Sequence, residues 1–396
     1  MRMTRLKTIA DIQTGPFGSQ LHKEDYVETG TPIVTVEHLG NRVFTEQNLP
    51  RVSDSDKARL IKYTLSTGDI VFSRVGSVDR CSYVDKSHDG WMFSGRCLRV
   101  RPTELVDSLY LYYYFCLEET KQFVRNIAVG ATMPSINTKL LGEVEIALPD
   151  LNNQKRIAAV LSSLDDKIEN NQKLNDNLYA QAKATTKQWI SKSTGDYELL
   201  PLSDIASINP DTYSPKETWK YVNYLDTSSI TEGCIAEIQH ITPSSEKLPS
   251  RARRKIAPND IVFSTVRPNQ RHYGIISEPL PNMLGSTGFA VIRSKNPLVC
   301  NELIYLCLTE NEFIEKMQQL AEQSTSTFPS IKPSDLGVCE IPCPKDQSST
   351  SFTETLKSLF ALIAANQREN ISLSEIRDVL LPKLMSGGID VSDIQL

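Results

Sequence analysis

The chain has 396 residues, 40% of them hydrophobic and 23% charged, the composition of a folded protein of two to three domains at about 150 residues each. Its 43 basic and 48 acidic residues leave a net charge of −5, the wrong sign for a protein that grips nucleic acid over its whole surface. No apolar run reaches the ~18 residues of a membrane span and no secretory signal is readable, so a cytoplasmic protein without membrane contact is expected.

In chain order, Thr14-Gly15-Pro16-Phe17-Gly18 forms a turn-rich loop whose glycines suit either a close backbone approach or a plain turn. Short β-type runs follow at 32–36 (PIVTV), 69–73 (DIVFS) and 97–101 (CLRVR), separated by turn residues. A helix-like stretch over 105–125 carries Tyr110, Tyr112, Tyr113 and Phe115, which are expected to pack against a sheet. The Thr132–Ile136 element, T-x-P-S-I, is expected to close this domain onto a long helix over 151–190, about 60 Å at ~1.5 Å per residue.

The plan then repeats. GDIVFSRV at 68–75 returns as NDIVFSTV at 259–266, six of eight positions identical at an offset of 191. Residues 130–149 match 325–344 at nine of twenty positions with an offset of 195, which places a second T-x-P-S-I at 327–331. A second helix-like stretch over 301–322 carries Ile304, Tyr305 and Leu306. A period this long is a duplicated domain rather than a solenoid.

In the first long helix, Ile157, Leu161, Leu164, Ile168, Asn171, Asn175, Leu178, Ala182, Thr185 and Trp189 alternate spacings of four and three, the period of a coiled-coil seam. Adding 195 gives Phe352, Leu356, Leu359, Ile363, Asn366, Asn370, Leu373, Arg377, Leu380 and Leu384. Neither helix can bury such a stripe alone, so each is expected to pair with the other and to act as a spacer between the globular units. Asn171, Asn175, Asn366 and Asn370 either fix the register of that pairing or, in the competing reading, lie off the seam with Leu174 inside.

Charge is unevenly placed. Residues 247–277 hold seven basic residues against one acidic, and residues 57–103 hold nine against four. These windows overlap under the repeat, so each unit carries a basic patch around its DIVFS run, which suits a two-part duplex DNA site better than an incidental solvated face. Arginine can fork onto guanine, and Gln or Asn onto adenine. The candidates are Ser19, Gln20, His22, Lys23, Arg74, Ser77, Arg80 and Arg96 in the first unit. In the second they are Arg251, Arg253, Arg254, Lys255, Arg267, Asn269, Gln270 and Arg271.

Catalytic signatures are missing. There is no G-x-G-x-x-G, no Walker A lysine loop, no G-x-S-x-G and no H-E-x-x-H, and Asn209-Pro210-Asp211-Thr212 falls short of the N-P-P-Y of amino-methyltransferases. The eight cysteines form no C-x-x-C pair and the five histidines are scattered, so reduced thiols and no metal are expected.

TGPFGSQLHKEDYVETGTPIV (14–34), GDIVFSRVGSVDRC (68–81), the segment 130–178, and NDIVFSTVRP, TSTFPSIKPSDLG and LLPKLMSGGIDV in the second unit together resemble the specificity subunit of type I restriction–modification systems. The resemblance implies an α+β chain of two globular α/β target-recognition domains (1–150 and 196–345). Two long helices (151–195 and 346–396) would pair as an antiparallel coiled coil, with an internal pseudo-two-fold repeat. It implies a non-catalytic reader of a bipartite site on double-stranded DNA, whose helices set the gap between the halves and dock two modification subunits. S-adenosylmethionine would be bound by those partners and no cofactor by this chain, and restriction subunits would join the assembly. Thr265-Val266-Arg267-Pro268 replaces Arg74-Val75-Gly76-Ser77, so the two loops are expected to read different bases, and Ser349 replaces Gln154 at the second helix entry. The competing readings are a stand-alone DNA-modifying enzyme with degenerate motifs and a coiled-coil scaffold that binds only protein.

Overall fold

The computed structural model describes residues 2–394 apart from 17, 19, 193–194, 215 and 325–327, and the side chains of all of these but Arg2 and Lys23. The chain divides into two compact units, Met1–Glu169 with Asn370–Leu396, and Asn170–Glu369.

In the first unit the DIVFS run supplies the strand Ile70–Ser73, buried along its whole length. It lies in an antiparallel sheet ordered Ala10–Thr14, Cys97–Pro102, Ile70–Ser73, Cys81–Tyr83. Because side chains alternate across a strand, Ile70 and Phe72 enter one core and Val71 another. The Val71 core lies against a second sheet in which Thr31–Val34 pairs in parallel with Met92–Phe93. The Ile70 and Phe72 core is roofed by helices and includes Tyr110, Tyr113 and Phe115, with the rings of Phe72 and Phe115 edge to face at 4.7 Å.

The second unit repeats this plan. Asp260–Ser264 sits between Phe289–Ser294 and Tyr273–Ile276, with Ala206–Ile208 at the far edge. Ile261 and Phe263 face the helices, and Val262 faces the second sheet, where Val222–Leu225 pairs in parallel with Met283–Ser286.

Each helix-like stretch proves to be two helices rather than one. Ser108–Cys116 stops where Leu117 turns extended (φ −59, ψ 132), and Glu118–Ile127 starts afresh with two glutamates at its positive end. Asn301–Leu308 and Asn311–Glu322 break likewise, at the extended Glu310.

The long helices are Leu151–Lys192, 42 residues or about 63 Å, and Thr350–Met385, 36 residues. Both run through the two units and pair antiparallel in each. In the first unit Arg377 reaches Asp165 and Arg156 reaches the carbonyl of Ile394. In the second Trp189 stacks on Phe352 at 4.4 Å and Tyr179 meets Phe360 at 6.2 Å. The stripes are shared with the globular cores: Ile157, Leu161 and Leu384 join the first, Leu178, Ala182 and Leu356 the second. The helix entries differ as their sequences do. Buried Gln154 accepts from the Asp107 N–H (2.9 Å) and donates to the Pro149 carbonyl (2.9 Å), whereas Ser349 ends a 3-10 turn and accepts from the Trp189 indole (3.2 Å). Among the described residues no helix is long and apolar enough to cross a membrane.

Candidate nucleic-acid interface

The loop that leaves each DIVFS strand is built the same way twice. Ser73 Oγ donates to the Val75 carbonyl at 2.7 Å, and Ser264 Oγ to the Val266 carbonyl at 2.9 Å, which turns the chain sharply out of the sheet. The T-x-P-S-I segment then latches onto the loop. Gly76 donates to the Pro134 carbonyl (2.8 Å) and Ile136 to the Arg74 carbonyl (2.9 Å). At the equivalent positions Arg267 donates to Pro329 (2.9 Å) and Ile331 to Thr265 (2.9 Å). This adds a second role to the one expected of the element. Its isoleucine does enter the core shared with the helix, but its backbone braces the exposed loop.

The latch requires a left-handed residue, and the units meet that need differently. Gly76 adopts φ +76, where glycine is unstrained, while Arg267 adopts φ +48, a conformation that costs a side-chain-bearing residue of order 1 kcal/mol. The Arg267 guanidinium lies 4.8 Å from the centroid of the Phe328 ring.

Around the first loop the structure gathers Arg74, Ser77, Arg80 and Arg96. The Arg74 N–H donates to the Arg96 carbonyl (2.8 Å) and its Nη1 to the Gly95 carbonyl (3.0 Å), while Ser77, Arg80 and Arg96 are exposed. Gly15 packs against the same turn. A Cβ on Gly15 would lie 2.1 Å from the Ser94 carbonyl, so the close approach that glycine permits here is to the protein's own backbone. Gln20 stands apart, its Oε1 accepting from the Tyr63 hydroxyl (2.8 Å) and its carbonyl from Arg59 (2.9 Å). His22 is exposed, and its backbone N–H donates to Asp25 at 2.6 Å. Ser19 and the Lys23 side chain lie outside the described residues.

The second unit's candidates fall into two places. Arg267, Asn269, Gln270 and Arg271 surround the 3-10 turn Pro268–Gln270. There the Asn269 N–H donates to Gln318 (3.3 Å), Gln270 is exposed, and Arg271 is held by Glu232 (3.0 Å) and Asn311 (2.9 Å). Arg251, Arg253, Arg254 and Lys255 lie on or beside Ala252–Lys255, a strand of the other sheet. Lys255 is committed to Glu217 (2.8 Å) and lies 5.5 Å from the Trp219 ring, and Arg253 Nε donates to the Ser250 carbonyl (3.2 Å). Burial pushes Arg254 below the usual arginine value, and its Nε is buried with no partner among the described residues. Exposed Arg251 accepts at its carbonyl from Thr287, the residue that takes the place of Arg96 in the repeat, so it offers a cation beside this second turn.

Not all of the positive charge counted along the sequence is available. Arg99 is buried against Asp11 at 2.9 Å. Arg101 clamps Asp69 with two bonds of 2.7 Å, and Arg293 clamps Asp260 with bonds of 2.7 and 2.9 Å. The aspartate opening each DIVFS run is thus the buried anchor of a duplicated ion pair, which takes Arg101 and Arg293 out of the free positive charge.

The seam asparagines meet across the helices. Buried Asn171 donates to Glu369 (2.8 Å), Asn366 to Asn175 (2.8 Å) and Asn370 to the Ile168 carbonyl (3.4 Å), while Leu174 is 47% exposed. Sequence reasoning missed Met133 and Phe328, which stand directly before the latching Pro-Ser-Ile at matching repeat positions and are 61% and 53% exposed. An alignment of the repeats shows a large apolar residue before Pro-Ser-Ile in both. Among the described residues no group of three His, Cys, Asp or Glu side chains could hold a metal ion.

Residues 1–180 match the family model described as the type I restriction modification DNA specificity domain. The chain is 26% identical to the MjaIX type I restriction enzyme specificity subunit of Methanocaldococcus jannaschii, over 74% of this chain and 72% of that one. It is 22% identical to the HindI specificity subunit of Haemophilus influenzae, over 83% and 88%. In fold it is similar to the crystal structure of the type I restriction–modification S subunit from M. genitalium (TM-score 0.59, 17% identity, 97% of this chain and 95% of that one). Residues 1–180 thus match the type I restriction modification DNA specificity domain, and over most of its length the chain is similar to specificity subunits of type I restriction enzymes.

Proposed function

We propose that each unit of this non-catalytic subunit reads one half of a split duplex DNA site through the loop that leaves its DIVFS strand. The observation that carries this is the duplicated latch, which holds Arg74, Ser77, Arg80 and Arg96 at one loop and Arg267, Asn269, Gln270 and Arg271 at the other. A braced loop gives up little freedom on binding, and arginine, Asn and Gln are the side chains that discriminate base edges. Thr265-Val266-Arg267-Pro268 against Arg74-Val75-Gly76-Ser77 gives the two loops different donor sets, hence different half-sites. Arg251 and Arg254 serve the second half-site as phosphate ligands. Ser19, Gln20, His22 and Lys23 form a flanking segment of the first, and Lys255, already paired, acts chiefly within the fold.

The paired helices set the gap between the half-sites, with Asn171, Asn175, Asn366 and Asn370 fixing their register. Their outer faces dock two modification subunits, which carry S-adenosylmethionine and the methyl-transfer chemistry, and the same assembly accepts restriction subunits. The test is selection from a random duplex library by the full chain together with its modification subunits. Enrichment of a two-part motif supports the reading, and equal binding of all sequences overturns it. Retention of the full preference after charge reversal at Arg74, Arg80 and Arg267 would overturn the loop assignment.

A further inference from the structure

We infer that Met133 and Phe328 are matched apolar wedges that enter the base stack of duplex DNA, one in each half-site, an assignment that rests on reading the two units as DNA readers. Both residues stand directly before the Pro-Ser-Ile of the latch and are related by the repeat offset of 195. Both are large and apolar, yet 61% and 53% of their surfaces are exposed. Single exposed hydrophobic side chains are ordinary and by themselves say little. Here the residues before the shared threonine diverge between the repeats, Gly-Ala in one and Thr-Ser in the other, while a large apolar side chain returns at the same place.

Hydrogen bonds tie down the described residues beside both positions. Val129 and Ser135 exchange two backbone bonds of 2.9 Å, and Ser330 donates to Ser324 at the matching position. Gly130 adopts φ +111, and a Cβ there would lie 2.7 Å from the Met133 carbonyl, so the tight turn behind Met133 depends on glycine. Each Pro-Ser-Ile is in turn latched to the loop that bears Arg74 or Arg267, and the Arg267 guanidinium sits over the Phe328 ring at 4.8 Å. A rigid apolar side chain flanked by arginine is the combination with which proteins part a base step. The cation holds the backbone phosphates or groove edge while the wedge replaces lost base–base stacking with side-chain contact.

The experiment uses the full chain with its modification subunits and the duplex selected from a random library. 2-Aminopurine is placed at one position at a time through both half-sites. The wild type is expected to raise 2-aminopurine fluorescence several-fold at one step in each half. Met133→Ala removes the rise in one half-site only and Phe328→Ala in the other, each lowering affinity about tenfold, the loss of one stacking contact. Met133→Leu and Phe328→Trp keep both signals, and thermal unfolding and subunit assembly are unchanged in all four variants. Wild-type fluorescence that stays flat while the sequence is still bound overturns the wedge and leaves the reading of the units intact. So do alanine variants that keep the rise, or that lose affinity only because the modification subunits dissociate. A wild type with no sequence preference overturns both.

Discussion

One polar cluster exists in the first unit only, and the second unit supplies its apolar counterpart, which makes a quantitative test of the helix pairing possible. Asp165, 8% exposed, accepts a bond from Tyr113 Oη (2.6 Å) and one from Arg377 Nη1 (2.7 Å). Burial, reinforced by the Asp165 carboxylate, holds the Tyr113 phenol well above its ordinary value, so it remains a donor at every physiological pH. Under the repeat offset of 195 the place of Asp165 is taken by Phe360 and that of Arg377 by Ala182, and the ring of Phe360 meets that of Tyr305 at 5.7 Å. Arg377→Ala leaves Asp165 with its tyrosine bond and only the nearby Arg42, which is already paired with Asp166 at 2.7 Å. Breaking a buried pair costs ~3–5 kcal/mol, and since the Arg377 side chain is 26% exposed, about 2–3 kcal/mol is expected here. The double variant Asp165→Phe with Arg377→Ala installs the second unit's solution and should recover all but about 1 kcal/mol, because well-packed apolar groups commonly match a buried ion pair. The assay is urea unfolding of the full chain followed by far-UV circular dichroism. A double variant no more stable than Arg377→Ala, or an Arg377→Ala with an unchanged midpoint, would refute the equivalence of the two helix contacts.

Other outcomes follow from the same geometry. Arg267→Gly relieves a left-handed arginine, ~1–2 kcal/mol, and loses glycine's chain entropy and one cation–π contact, ~0.5–1 kcal/mol each. Its melting temperature should therefore stay within a few degrees of wild type while sequence-specific affinity falls about tenfold, and a large loss of stability would contradict the assignment. Asn171→Leu should raise the unfolding midpoint by the equivalent of about 1 kcal/mol and broaden the set of cysteine pairs, introduced across the helices, that can be oxidised. An unaltered cross-linking pattern would remove the asparagine from register control. Burial raises the Tyr224 and Tyr273 phenols from 10.0 to about 12 in the folded chain. Raised folded-state values mean that this stability is fully present below pH 10 and drains away as pH climbs toward about 12, so denaturant midpoints should fall across that window as phenolate absorbance at 295 nm appears. Midpoints constant through it would contradict the burial.

How much could be read from the sequence depended on whether a feature was local or needed a partner. The DIVFS strands, the four-three seam and its asparagines were legible because each is a short pattern stated twice. The break at Leu117 was not, because the residues on both sides are good helix formers and only packing decides where one helix stops. The charge windows were legible as counts but not as surface. Arg99 and Arg101 lie close to aspartates only after the strands align, with Asp11 opposite Arg101 in the register of the first sheet. The latch was hidden for the same reason, since residues 74–76 and 134–136 are sixty positions apart in sequence. Met133 and Phe328 were overlooked because apolar residues in a helix-to-strand connection resemble ordinary core.

The central claim is that two repeated units read two halves of one DNA site. The direct measurement is methylome sequencing of cells that produce this chain with its modification subunits, compared with cells that lack the chain. Methylation is expected at a split motif, two specified halves separated by a fixed number of unspecified base pairs. Substitution at Arg74 and Arg80 should relax one half only, and substitution at Arg267 and Asn269 the other. A continuous motif, relaxation of both halves by either set, or methylation without sequence preference would contradict it.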